Sequence, residues 1–216
     1  MPQAMLGSSP HRIAALLAAV VVAVGAASAG AAEAPGQYAG HGLSFAYPTT
    51  WQHVAGGFDV QVGSALWTEI FAPVPAAPPP VDPAQSPPPA PPTTDQLTDL
   101  VGVAAYRIPI AITKKNLPRY KTAMKMTVLQ LIRQAAGQLT SGPTRVTMGG
   151  MPGYRFEVSV TTTTGATLDS RLLMVFKKKT EYFVNCQHLR DGPLAAELTT
   201  GCDQVTQSFR LAPPSK

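Results

Sequence analysis

The chain is short of cysteine, histidine and charge. It has two cysteines and four histidines, with no C-x-x-C pair, so neither a zinc-finger spacing nor a thioredoxin-type redox pair is present. It also lacks a Walker loop, a dinucleotide glycine fingerprint and a G-x-S-x-G elbow. Their absence removes the usual sequence signatures of nucleotide-dependent enzymes and α/β-hydrolases. Lysine and arginine are missing from residues 30–106, where six acidic residues fall. The balance then reverses, and residues 107–216 hold sixteen basic and six acidic residues. Such a split implies an anionic partner, a membrane surface or an acidic polymer; plain solubility is the simpler alternative. Nucleic acid is not the expected partner, because aromatics do not interleave with the basic run.

What is present begins with an export signal. His11 and Arg12 precede an almost wholly apolar or small stretch at 13–27. That stretch is short for a membrane span, which needs ~20 residues. Ala27, Ser28 and Ala29 form an A-x-A cleavage pattern, and Ala29, Gly30 and Ala31 a second one. Residues 1–29 read as a cleavable signal peptide, which places the protein outside the cytoplasm, in the periplasm or cell envelope; a retained anchor is the alternative. After cleavage about 185 residues remain, enough for one domain with a real core. A flexible segment is expected at 30–41, a single α+β domain at 42–211 and a tail at 212–216.

Cys186 and Cys202 in an exported chain predict a disulfide. It would close a loop of about 17 residues and stabilise by roughly 3 kcal/mol. A reactive thiol is the competing reading. His188 is a neighbour in sequence only, with no third group to orient it.

Residues 149–187 predict three consecutive antiparallel strands. Tyr154, Phe156, Val158 and Val160 alternate with Arg155, Glu157 and Ser159, which is a half-buried pattern. In the next run Leu172, Met174 and Phe176 share one face, and Leu173 and Val175 the other. That strand should be central and covered on both sides. Lys177, Lys178 and Lys179 end it at a solvated edge, and Tyr182, Val184 and Cys186 begin the return. Upstream, Leu43, Phe45 and Tyr47 point inward, Trp51 opens a short strand, Phe58, Val60 and Val62 alternate, and residues 65–71 form another strand. Residues 100–112 are apolar and predict a buried strand with a kink or end at Pro109. Residues 73–92 hold eleven prolines in twenty, an exposed polyproline-type loop inside the domain.

Asn116 is the expected N-cap of an amphipathic helix ending near Gly137, with Leu117, Tyr120, Met124, Val128, Leu131 and Ala135 as its apolar stripe. Lys114, Lys115, Arg119, Lys121 and Lys125 decorate it and form the candidate binding surface. Pro193 opens a second helix, carrying Leu194, Leu198 and Val205, that Gly201 is expected to interrupt. His41 and His53, with Asp59 or Glu69, are too sparse a set to predict a metal site, and no cofactor is expected.

Gly42, Leu43, Ser44, Phe45, Ala46, Tyr47 and Pro48, followed by Trp51, resemble the opening of PsbP-like proteins. Gly149, Gly150, Gly153 and Tyr154, then Tyr182, Phe183, Val184 and Cys186, then Val205, Ser208 and Phe209 resemble later signatures of bacterial members. That fold is shared with the Ran-binding Mog proteins and is similar to that of LpqN-type mycobacterial lipoproteins. The resemblance implies an antiparallel sheet flanked by helices, an α/β/α sandwich, and a non-catalytic accessory role. It transfers no functional residue. The proline-rich loop departs from the pattern, and no cysteine follows the leader to carry an LpqN-type lipid anchor. Three functions follow: a basic-surface binding protein, with peripheral membrane contact as one form of it, as first reading; an assembly protein recognised through its proline-rich loop; and, last, a small hydrolase.

Overall fold

Alternating residues build most of the fold. The computed structural model describes residues 36–54, 65–74 and 98–212. The expected signal peptide at 1–29, the run at 58–62, the proline-rich stretch beyond Val74 and residues 213–216 lie outside the described residues. A small antiparallel sheet contains β1 (Gln37–Gly40), β2 (Leu43–Ala46) and β9 (Arg210–Leu211), in the order β1-β2-β9. A larger one contains β3 (Trp51–His53), β4 (Ala65–Pro73), β5 (Leu100–Ile112), β6 (Gly137–Met148), β7 (Met151–Thr161) and β8 (Thr167–Leu189). Its order is β3-β4-β5-β8-β7-β6, and every pairing is antiparallel.

β8 is a ribbon that folds back on itself. A straight strand of its 23 residues would hold its ends roughly 75 Å apart. Instead the Arg190 amide donates to the Thr167 carbonyl at 2.9 Å. The reversal lies at Lys178, whose φ is +55°. β7 pairs with the first arm, Gly153 opposite Val175, and β5 with the second, Val103 opposite Val184. The three expected runs are therefore present, with the lysines at the reversal.

The two apolar faces of the β8 ribbon are both covered. On one face Leu173, Val175, Val184 and Cys186 pack with Phe71, Val101 and Val103 under the small sheet and α2 (Ala195–Ser208). On the other, Leu172, Met174, Phe176 and Phe183 join Phe156 and Val158 beneath α1 (Lys121–Gln134). The α+β sandwich is thus the observed architecture, with a second, small sheet sharing one outer layer with α2. Among the described residues no helix is long and apolar enough to cross a membrane.

Several expectations are corrected. β1 falls inside the segment expected to be flexible at 30–41. Its Tyr38 is buried against Phe45 and Phe71, and His41 and Gly42, both at positive φ, make a tight two-residue turn into β2. Asn116 does not cap a helix with its side chain. Its Oδ1 accepts from the Thr113 amide and its Nδ2 donates to the Ala111 carbonyl, so it fastens the preceding turn instead. A 3-10 turn, Leu117–Tyr120, then leads into α1. Gly201 does not break α2, because the helix runs through it unbroken. Pro73 belongs to β4, opposite Trp51, and not to the proline-rich loop. β6 has no apolar alternation to announce it: it is a polar edge strand with register shifts around Ser141 and Thr144.

Candidate functional site

The five cations singled out from sequence are all exposed. Lys114 and Lys115 sit in the Asn116-fastened turn between β5 and α1, anchored by the fully buried Leu117. Arg119 lies in the 3-10 turn, and Lys121 and Lys125 on α1. The structure adds cations from three other segments. Lys178 pairs with Ile112, Arg107 with Thr180, and the Arg145 guanidinium donates to the Lys114 carbonyl at 3.3 Å. The exposed Lys177, Lys178 and Lys179 thereby come to the same end of the sheet as Lys114 and Lys115. Sequence reasoning read those three lysines only as a solvated turn. Their neighbourhood depends on the β5–β8 register, which no local pattern carries.

Ion pairing separates these lysines from the arginines. Among the described residues every ion pair takes its cation from His41, His53, Arg155, Arg171 or Arg190, and none from a lysine. No acidic residue lies between Asp99 and Glu157 in sequence.

A cleft of about 320 Å³ lies elsewhere, between α2 and β8, beside the Cys186–Cys202 disulfide. The sulfurs are 2.04 Å apart and the Cα atoms 5.8 Å, so the expected bridge is formed. Such a bridge fits an oxidising, extracytoplasmic compartment. The cleft's charges neutralise one another. Arg190 binds Asp169 through Nε and Nη2 at 2.9 and 2.7 Å, and Arg171 binds Glu157 and Asp203. The Arg190 hydrogen bonds hold the Asp169 carboxyl below the usual carboxylate range. His188 and Asp169 line it and Ser159 is tied to its Arg190, yet the three are not arranged in series as a nucleophile relay. Ser159 Oγ accepts from Arg190, and His188 Nδ1 faces the Leu189 carbonyl.

No protein-family model matches the chain, and no curated protein does. It is similar in structure to cyanobacterial PsbP (CyanoP) from Synechocystis sp. PCC 6803. The identity is 13% and the TM-score 0.49, over 86% of this chain and 98% of that one. It is also similar to LpqN of Mycobacterium tuberculosis, a protein involved in cell envelope biogenesis, at 11% identity and TM-score 0.44, over 79% and 83% of the two chains. A third similar structure, from Bacteroides thetaiotaomicron VPI-5482, has 12% identity and TM-score 0.47 over 83% of this chain. The chain spans about half the length of that protein, 49%. The resemblance seen in sequence named the first two groups.

His41 and His53, for which the sequence offered Asp59 or Glu69 as acidic partners, meet at Glu69. Their Nε2 atoms lie 2.8 and 2.6 Å from its two oxygens, and Tyr38 donates to Oε1 at 2.9 Å. Burial pushes the Glu69 carboxyl up, but the hydrogen bonds from His53, Tyr38 and His41 outweigh it and hold it below its ordinary value. The Tyr38 and His41 contacts cross the seam between the sheets, and the His53 contact joins the paired strands β3 and β4. Among the described residues no cluster of three or more such groups is arranged to hold a metal ion. Asp59 lies outside the described residues.

Glu181 follows the lysine turn by two residues. Desolvation pushes its carboxyl up to about 7. The folded state therefore holds this proton more tightly than the unfolded chain, whose glutamates titrate near ~4.3. The resulting stability is fully present below that unfolded value and is lost as pH rises through about 7. The thermal midpoint should fall between pH 5 and 8, and Glu181→Gln should flatten that fall. An unchanged slope in thermal scans of the variant would refute the assignment.

Proposed function

We propose that this is an extracytoplasmic, non-catalytic accessory protein whose basic surface contacts an anionic component of the cell envelope. One observation carries the reading: the acid-free stretch between Asp99 and Glu157 displays its lysines exposed and unpaired around the start of α1. That arrangement is electrostatically unfavourable for the fold. The N-terminus of a helix carries positive partial charge, and each cation placed there opposes it by roughly 0.3–1 kcal/mol. The first turn of α1 contains no acid to offset this. An anionic ligand would relieve the repulsion, which gives the surface a use that folding alone does not.

The reading makes stability and binding move in opposite directions. Lys121→Glu should stabilise the protein by about 0.5 kcal/mol, because it places an anion at the positive helix end. The same change should weaken co-sedimentation with the producer's envelope, and parent binding should decline as salt is raised. Urea midpoints and a salt series of pelleting assays test both. Envelope binding that ignores salt and Lys121, and disappears only on deletion of residues 75–92, would move the function to the proline-rich segment.

A further inference from the structure

We propose that the basic end of the sheet is a docking surface for an anionic phospholipid bilayer, with the β8 turn Lys177–Lys179 as its principal contact. The inference rests on the basic-surface reading above and names its partner. Sequence alone pointed to the helix lysines. The fold instead gathers a denser set at the sheet's end, where Lys177, Lys178 and Lys179 meet Lys114, Lys115, Arg107 and Arg145. Each of these is exposed, and none has an acidic partner among the described residues.

Two features favour a bilayer over a hydrated acidic polymer. The first is the kind of cation. The turn presents three lysines, which are compact charges on flexible stems, and no arginine. Lysine suits diffuse attraction to mobile headgroups, whereas arginine's planar fork suits fixed bidentate recognition. Three arginines, Arg155, Arg171 and Arg190, are engaged in ion pairs elsewhere. The second is an apolar side chain in the same rim. Ile110 is 38% exposed and lies on β5 between Arg107 and Ile112, where the β5–β8 register shifts. An exposed isoleucine among cations matches a partner with apolar chains beneath an anionic layer. Against a polymer in water it gains nothing.

The test uses the chain from residue 30, which contains every described element and lacks the leader's own apolar run. Its probe is phosphatidylglycerol–phosphatidylcholine vesicles at low and high salt, with pure phosphatidylcholine vesicles and a soluble anionic cell-wall polymer run in parallel. The parent should bind the anionic vesicles and release them at high salt. Joint change of Lys177→Gln, Lys178→Gln and Lys179→Gln should reduce the partition coefficient on the order of 100-fold, about fivefold for each lysine. Lys121→Gln with Lys125→Gln should reduce it far less. Ile110→Ser should cost roughly tenfold while leaving the salt dependence unchanged. Matching unfolding midpoints would show that the variants stay folded. Vesicle binding by the triple variant equal to the parent's overturns the inference. Binding to the polymer but not to vesicles overturns it and leaves the basic-surface reading standing. Binding to neither sinks both.

Discussion

Changing both Cys186 and Cys202 to alanine is expected to lower the free energy of unfolding by about 3 kcal/mol. The bridge spans a sequence separation of 16 and joins the return arm of β8 to the middle of α2. In the unfolded chain it forbids conformations that the double variant regains, and that entropy is the main part of the loss. The native state loses packing as well, because both cysteines lie in the core with Leu198, Val205 and Phe209. For a domain of this size the thermal midpoint should drop by roughly 10 °C. Urea unfolding of the oxidised protein beside the double variant measures the effect. The slope against urea should also rise, since a chain without the cross-link exposes more surface when unfolded. A loss under about 1 kcal/mol would mean that apolar contacts alone hold α2 in place.

Gly201→Ala is expected to destabilise by about 2 kcal/mol, against the sign that helix propensity predicts. In an exposed helix interior the same change would stabilise by up to ~1 kcal/mol. Here a methyl group at position 201 would overlap the Trp51 indole and meet Pro48 Cγ at 3.0 Å. The indole cannot easily retreat. Trp51 is 4% exposed, and its Nε1 donates at 2.9 Å to Glu197, which also accepts from Thr50 Oγ1 at 2.7 Å. Gly201 is therefore the gap in α2 into which the start of β3 fits. The pair Trp51→Phe with Gly201→Ala should recover part of the loss, because the smaller ring frees space at the helix. Denaturation of the two single variants and the double variant would measure that coupling. A neutral or stabilising Gly201→Ala would refute the account of how α2 docks.

Much of the architecture was legible in the chain itself. The alternation from Tyr154 to Val160 defined β7, and the double apolar character of residues 172–176 announced a strand covered on both faces. The stripe at Leu117, Met124, Val128 and Leu131 marked the buried face of the 3-10 turn and of α1. The two cysteines, the only pair the sequence offers, form the expected bridge. These features are local periodicity or elimination among few partners, and sequence order expresses both directly.

Other features were decided by tertiary structure. β6 and β1 carry little apolar signal of their own, and pairing with neighbouring strands defines them. Pairing of β3 with β4 sets His53 beside Glu69, and His41 reaches the same carboxylate only because the small sheet closes over them. Gly201 reads as a helix breaker until Trp51 is placed against it. Lys177–Lys179 read as an ordinary solvated turn until the β5–β8 register sets them beside Lys114 and Lys115. By itself the sequence determined the strongly patterned strands and helices and most of their buried faces, because hydrophobic burial acts through local patterns of period two or 3.6. Which charges meet was left to the fold, because the Coulomb interaction depends on distance through space, and strand register alone sets that distance for residues far apart in the chain.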